Sequence, residues 1–133
     1  APHISDDTFD CAIVTQTLQF VYDVGAALAT LHRILVPGGV LLATAPGLTK
    51  ISPIEDAAYG EWWHYTARSL GRLAAEAFGD ANVEVESFGN VLAATGFLYG
   101  LAASDLDPDE VHVHDPLFEV VIGLRATKRG RNG

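Results

Sequence analysis

The 133 residues predict one α/β domain. Two observations carry this reading. The segment FDCAIVTQTLQFVYDVGAALATLHRILVPGGVLLATAPG, residues 9–47, runs from an apolar strand through an amphipathic helix and a Pro-Gly-Gly turn into a second apolar strand. That is a βαβ unit, and such units cross over right-handed onto a parallel sheet. Downstream, helical and strand-like periodicities alternate to the end of the chain.

The elements follow in order. Residues 1–8, APHISDDT, are polar and turn-like. Residues 9–14 are apolar apart from Asp10, which suits a strand covered on both faces. Cys11, the single cysteine, is expected to be a buried, inert thiol, and no internal disulfide can form. Asp23 stands at a helix N-cap. Val24, Ala27, Leu28, Leu31, Ile34 and Leu35 then form one apolar stripe. Pro37-Gly38-Gly39 is expected to stop that helix, and residues 40–45 form the second buried strand. His32 falls in the helix's last turn, where the helix dipole tolerates a cation.

Residues 46–65, PGLTKISPIEDAAYGEWWHY, read as a long loop, and long loops in compact domains tend to be functional. Thr66 caps a second helix with Leu70, Leu73, Ala77 and Phe78 inward, closed by Gly79. Residues 82–88 alternate Val83 and Val85 with Glu84 and Glu86, as in a strand with one wet face near a sheet edge. Asn90 caps a third helix. An acidic loop then leads to a last strand over residues 118–127.

Net charge is −9, which argues against a nucleic-acid-binding surface, since that needs clustered cations. The basic residues Lys128, Arg129 and Arg131 read as a solvated tail over 128–133, after a domain spanning 1–127. The longest apolar stretch, residues 91–103, falls short of the ~20 residues a membrane span needs, so no membrane partner is expected. Its Gly96-x-x-x-Gly100 spacing is read as helix packing or chance. With no secretory signal visible, the cytoplasm is the expected compartment.

Four stretches carry a family resemblance. ISDDTFDCAIVTQTLQFVYD, LHRILVPGGVLLATAP, GEWWHYTARSLGRLAAEAF and NVEVESFGNVLAATGFLYGLA, in that order, resemble the C-terminal half of a class I S-adenosylmethionine-dependent methyltransferase of the type 11-like branch. The resemblance implies a partial Rossmann-like sheet, with strands ordered first, second, fourth, third and the last strand antiparallel between its neighbours. The family's Gly-rich turn and ribose-binding acid have no counterpart here. Pro37-Gly38-Gly39 cannot replace them, because it joins a helix to a strand rather than a strand to a helix. The first three strands of the sheet are therefore expected on residues N-terminal to this segment. The chain contains no methionine, which fits a processed chain or a piece of a longer one.

What the resemblance implies for the site is residue-specific. It puts Thr15, Gln16 and Thr17 beside the methionine part of S-adenosylmethionine and Ile4 against its adenine. Trp62, Trp63 and Tyr65, on the long loop, become candidates for binding a small-molecule or sugar-type acceptor. An equal alternative is that the two tryptophans simply cover the core. His64 is a candidate base, although aligning acceptor and methyl group supplies much of the catalysis in such reactions. His112, His114 and Asp115 could approach a metal, but no further strong ligand follows in sequence and no metal site is expected. The implied function is methyl transfer by a longer enzyme, with this segment alone inactive. Two other readings stay open: a non-catalytic module that folds as a homodimer or with a partner chain, pairing through the 9–14 edge, and a different nucleotide-binding Rossmann domain.

Overall fold

The computed structural model describes residues 3–130. Four strands, β1 (Phe9–Thr15), β2 (Leu35–Pro46), β3 (Val83–Phe88) and β4 (Val121–Thr127), form one sheet in the order β1-β2-β4-β3. β1 and β2 are parallel, and β4 runs antiparallel to both β2 and β3. The strand order and the antiparallel last strand are those expected.

Helices α1 (Val24–Ile34) and α3 (Ala67–Phe78) pack on each other and on one face of this sheet. Each begins where its cap dictates. The Asp23 carboxylate accepts from the Ala26 N–H at 2.9 Å. Thr66 and Ser69 close a reciprocal capping box, with the Thr66 hydroxyl accepting from the Ser69 N–H and the Ser69 hydroxyl from the Thr66 N–H. The core between helices and sheet is built from Leu28, Leu35, Leu41, Leu70, Ile122 and their neighbours, all buried. Truncating Leu70 to Ala there would cost about 2–5 kcal/mol.

Several elements differ from expectation. α1 ends at Ile34, and Leu35 turns extended at once, because its side chain is needed in the core opposite Phe9. Pro37-Gly38-Gly39 therefore lies inside β2 as a bulge: two steps along β1, Phe9 to Cys11, face five along β2, Leu35 to Val40. Gly38 takes a left-handed φ of 86°, and a side chain on Gly39 would stand 2.8 Å from the Val36 carbonyl oxygen. The long loop contains a short helix, α2 (Pro53–Tyr59), with Pro53 in its first turn. The acidic loop likewise holds α5 (Pro108–Val111).

Helix α4 (Val91–Tyr99) begins at Asn90, whose side-chain oxygen accepts from the Ala93 N–H while its amide donates to the carbonyls of Glu110, Val111 and Val113. One buried residue thus both caps α4 and binds the loop that returns to β4. Gly96 packs against Leu106 and Gly100 ends the helix in a left-handed turn, so the glycine spacing serves packing and termination.

β1 is not covered on both faces. Ala12 and Val14 face the core, whereas Phe9, Cys11, Ile13 and Thr15 are exposed, Ile13 by 72 %. Cys11 is thus exposed rather than buried, since its side chain points to the face that α1 and α3 leave open. A shallow groove of about 630 Å³ runs across that face, lined in part by Ile13, Leu42, Phe88 and the Arg125–Glu84 ion pair.

Lys128 is not part of a solvated tail. Its ammonium donates to Asp7 Oδ1 at 2.7 Å and to the Leu35 carbonyl at 2.8 Å, and its backbone pairs with Gly38 and Gly39. With only 14 % of its side chain exposed, it fastens the end of β4 to the start of β1. Arg131 lies outside the described residues. His32 packs edge-on against Phe78 at 5.0 Å, and burial, followed by the Lys128 charge, lowers its pKa against an opposing pull from Asp7. The tolerance expected from the helix dipole is outweighed.

Candidate active site at the carboxyl edge of the sheet

In open α/β sheets, ligands bind beyond the carboxyl ends of the parallel strands. Here those ends are Thr15 and Pro46. Gln16, the residue after β1, adopts φ 47°, a left-handed conformation that non-glycine residues rarely take. It is held there by its own N–H, which donates to the Thr44 carbonyl at 2.9 Å, and by the Gln19 amide, which donates to the Gln16 carbonyl at 3.0 Å. Strained backbone of this kind clusters at functional sites. The Gln16 side chain reaches Thr44 Oγ1 at 3.4 Å, and the Thr17 hydroxyl donates to the Thr15 carbonyl. Thr15, Gln16 and Thr17 are all exposed at this edge.

The aromatic segment is seated on the residues that follow. The Trp62 N–H donates to the Gln19 carbonyl at 2.8 Å, and the Trp63 indole N–H donates to the carbonyls of Val21 and Tyr22, each at 3.2 Å. Tyr22 meets Trp62 edge-on, with ring centroids 5.0 Å apart. Both tryptophans keep a large exposed surface, so they do not simply cover the core.

Tyr65 differs from its neighbours. It is 5 % exposed, belongs to the core, and donates its hydroxyl to the Leu18 carbonyl at 2.9 Å. Burial pushes its pKa up to about 12. Tyr65 therefore holds the loop down and presents nothing to a ligand, contrary to the expectation from sequence. The physical reason is its position just before the Thr66 cap, where the chain turns inward.

His64 is exposed and its Nε2 lies 3.2 Å from Glu61 Oε1. The carboxylate accepts, so the hydrogen-bond network assigns the proton to Nε2 and leaves Nδ1 as the acceptor. Glu61, whose side chain is 4 % exposed, also accepts from the Ser52 N–H at 2.9 Å. A buried carboxylate anchored to the loop thus orients the candidate base. Glu61 was not among the residues expected from sequence, and no spacing motif marks it.

Ile4 is not part of this edge. Its carbonyl accepts from Arg33 Nη1 at 2.8 Å, and Asp7 and Thr8 donate to the carbonyls of Arg33 and Ile34. These contacts hold residues 4–8 at the end of α1, by the amino ends of β1 and β2. The seven residues of β1 rise about 3.3 Å each, so roughly 20 Å separates Ile4 from Gln16. An adenine site shared by Ile4 and Thr15–Thr17 does not fit this arrangement.

The donor set at Thr15–Thr17 fits the polar amino-acid end of S-adenosylmethionine. Among the described residues, no Gly-rich strand-to-helix turn stands at this edge to meet the rest of it. His114 Nε2 lies 3.5 Å from Ser87 Oγ, and among the described residues no three His, Cys, Asp or Glu side chains gather as a metal site would need. Nor, among them, is any helix long and apolar enough to cross a membrane.

A family model described as a methyltransferase domain matches residues 2–43, which contain β1, α1 and most of β2. A search of curated proteins found no match. Among solved structures, a phosphoethanolamine N-methyltransferase 2 of Haemonchus contortus, in complex with phosphomonomethylethanolamine and S-adenosylhomocysteine, superimposes with a TM-score of 0.60 at 18 % identity, over 96 % of this chain and 35 % of that one. A methyltransferase of Thermotoga maritima does so with a TM-score of 0.61 at 22 % identity, over 96 % of this chain and 59 % of that one. The [4+2]-cyclase SpnF does so with a TM-score of 0.56 at 18 % identity, over 95 % of this chain and 52 % of that one. The chain therefore spans only part of these proteins, and one fold serves different reactions among them. The strand order, the antiparallel last strand and these superpositions agree: the chain has the fold of part of a class I S-adenosylmethionine-dependent methyltransferase domain.

Proposed function

We propose that this chain forms part of a longer enzyme that transfers a methyl group from S-adenosylmethionine to a small-molecule acceptor. The observation that carries the reading is the strained Gln16 at the carboxyl end of β1, which lines one cavity together with Glu61, the carboxylate that also meets His64 Nε2. S-adenosylmethionine, when bound, supplies an electrophilic methyl group. Thr15, Gln16 and Thr17 would hold its amino-acid end through hydroxyl and amide groups. Trp62 and Trp63 would line the acceptor side and exclude water. His64 Nδ1 would take a proton from the acceptor, with Glu61 stabilising the charged imidazole. The exposed Cys11 thiol suits a reducing compartment, so the cytoplasm is the proposed location.

The test is methyl transfer from radiolabelled cofactor to a panel of small amines, alcohols and sugars, using a protein that contains residues 1–133 within its longer chain. Transfer that depends on His64 is expected. Cofactor binding without transfer to any acceptor class would count against the reading.

A second reading is favoured by the open face and outer edge of β1. Exposed strand edges and apolar patches attract other chains. Residues 1–133 alone are proposed to self-associate through this edge, and sedimentation would detect it. A monomer at all concentrations would exclude it.

A further inference from the structure

Helix α4 carries no charged residue on any side, and none occurs from Phe88 to Ser104. A helix that is apolar all round is normally buried on every face. Here only Ala94 and Gly96 of α4 are buried, whereas Val91, Phe97, Leu98 and Tyr99 are each more than half exposed. Leu101, just past the helix end, is exposed as well. Between α4 and the returning loop lies a cavity of about 290 Å³, lined in part by Phe97, Leu101, Leu106, Pro108 and Val111, with His112 the polar residue among them. Single apolar side chains on a surface need no explanation, but a contiguous set beside an apolar cavity marks a docking surface.

The charges beside this surface select what docks there. Residues 73–124 contain no lysine or arginine. Asp105, Asp107, Asp109 and Glu110, in the loop and α5 that border the cavity, are all exposed, and among the described residues none of them forms an ion pair. A second copy would bring the same four carboxylates to the contact, and like charges brought together at an interface are costly. An anionic lipid surface would be repelled in the same way. We propose that the α4–α5 face docks a cationic amphipathic helix of a partner protein. A large apolar side chain of that helix enters the cavity, and its Lys or Arg residues meet the carboxylates of Asp105, Asp107, Asp109 and Glu110. Apolar anchors at helical spacing supply the affinity of such a contact, and opposite charges its selectivity. The nine residues of α4 rise about 1.5 Å each, so roughly ten residues of the partner helix would span it. The inference does not rest on the methyl-transfer reading.

Fluorescence anisotropy tests this on a protein that contains residues 1–133 within its longer chain, at about physiological salt, where distant charges are screened. The probe is a fluorescein-labelled amphipathic helix of leucine and lysine, and its control has glutamate at every lysine position. The lysine probe is expected to bind at micromolar Kd and the glutamate probe not at all. Asp109→Lys with Glu110→Lys should weaken the lysine probe at least tenfold. Leu98→Ser with Leu101→Ser should do the same, at exposed positions where the fold is kept. Phe97 is left intact because it also lines the cavity of Gln16 and Glu61. Glu76→Lys with Asp80→Lys makes the same change of net charge at the end of α3 and just beyond it, and should alter affinity less than threefold. No binding of the lysine probe, an equal loss in the Glu76–Asp80 variant, or unchanged affinity in the Leu98–Leu101 variant would overturn the proposal. So would two other results in a protein that ignores the probe. Oligomers dissolved by Leu98→Ser with Leu101→Ser would assign the face to a second copy, and adsorption to phosphatidylcholine vesicles lost in that variant would assign it to a membrane.

Discussion

The Tyr65 hydroxyl donates to the Leu18 carbonyl at 2.9 Å, joining the end of the aromatic loop to the turn that follows β1. With the Trp62 and Trp63 bonds to the same turn, it holds the loop over the carboxyl edge. Tyr65→Phe removes one of two donors to the Leu18 carbonyl, which keeps the Val21 N–H at 3.2 Å. It should destabilise the protein by about 0.5–1.5 kcal/mol, read as a lower urea midpoint at unchanged slope. The phenol's folded pKa of about 12 exceeds its ordinary 10.0. Its contribution to stability is therefore complete below pH 10 and is lost as pH rises from 10 toward 12. A Tyr65→Phe variant with wild-type stability at pH 8 would remove the bond from the account.

Gln16 combines a strained backbone with a side chain at the proposed cofactor site. In the longer enzyme, Gln16→Ala should weaken S-adenosylmethionine binding by about 0.5–1.5 kcal/mol, the usual worth of one polar contact, without unfolding the protein. Gln16→Val, β-branched at φ 47°, should be less stable than Gln16→Gly by about 1–3 kcal/mol. Calorimetry showing unchanged affinity in a folded Gln16→Ala variant would take Gln16 out of the site.

Trp63 and His64 belong to the acceptor side of the proposal. Trp63→Ala and His64→Ala should impair acceptor turnover more than cofactor affinity. Removing a positioned general base typically lowers the rate about 10²–10⁴-fold. A tenfold rise in cofactor Kd with unchanged turnover at saturation would reverse the assignment.

His32 gives the fold a pH dependence remote from the proposed chemistry. Burial against Phe78, then the Lys128 charge, lowers its folded pKa below the ordinary 6.5, while Asp7 pulls the other way. The neutral ring is the one that fits. Its contribution is complete above pH 6.5 and is lost as pH falls from there toward the lowered folded value. His32→Gln should flatten the stability profile between pH 7 and 5, measured by denaturant melts at each pH. An identical slope in the variant would contradict this.

The fold was legible where local chemistry and tertiary need agree. Asp23, Thr66 and Asn90 cap helices because their side chains satisfy N–H groups that any helix start leaves open. The Val83–Val85 alternation marks an edge strand because one face must be wet. Pro37-Gly38-Gly39 misled because the core's demand for Leu35 ended α1 before the turn residues could. Cys11 misled because apolar neighbours imply burial only if both faces of the strand are covered. Lys128 reads as solvated in any composition count, and its anchoring depends on Asp7, 121 residues away. The candidate site was half legible. Thr15–Thr17 and the aromatic loop follow from strand ends, whereas Gln19 and Glu61 emerge only from hydrogen bonds between distant segments.

The central claim is that S-adenosylmethionine contacts this chain at the carboxyl end of β1. Photo-crosslinking with a photoreactive S-adenosylmethionine analogue, mapped by peptide fragmentation, tests it most directly and works at weak affinity. The account predicts adducts concentrated within residues 15–20 and suppressed by excess S-adenosylhomocysteine. Suppressible adducts confined to residues 4–8, or labelling that excess S-adenosylhomocysteine leaves unchanged, would contradict it.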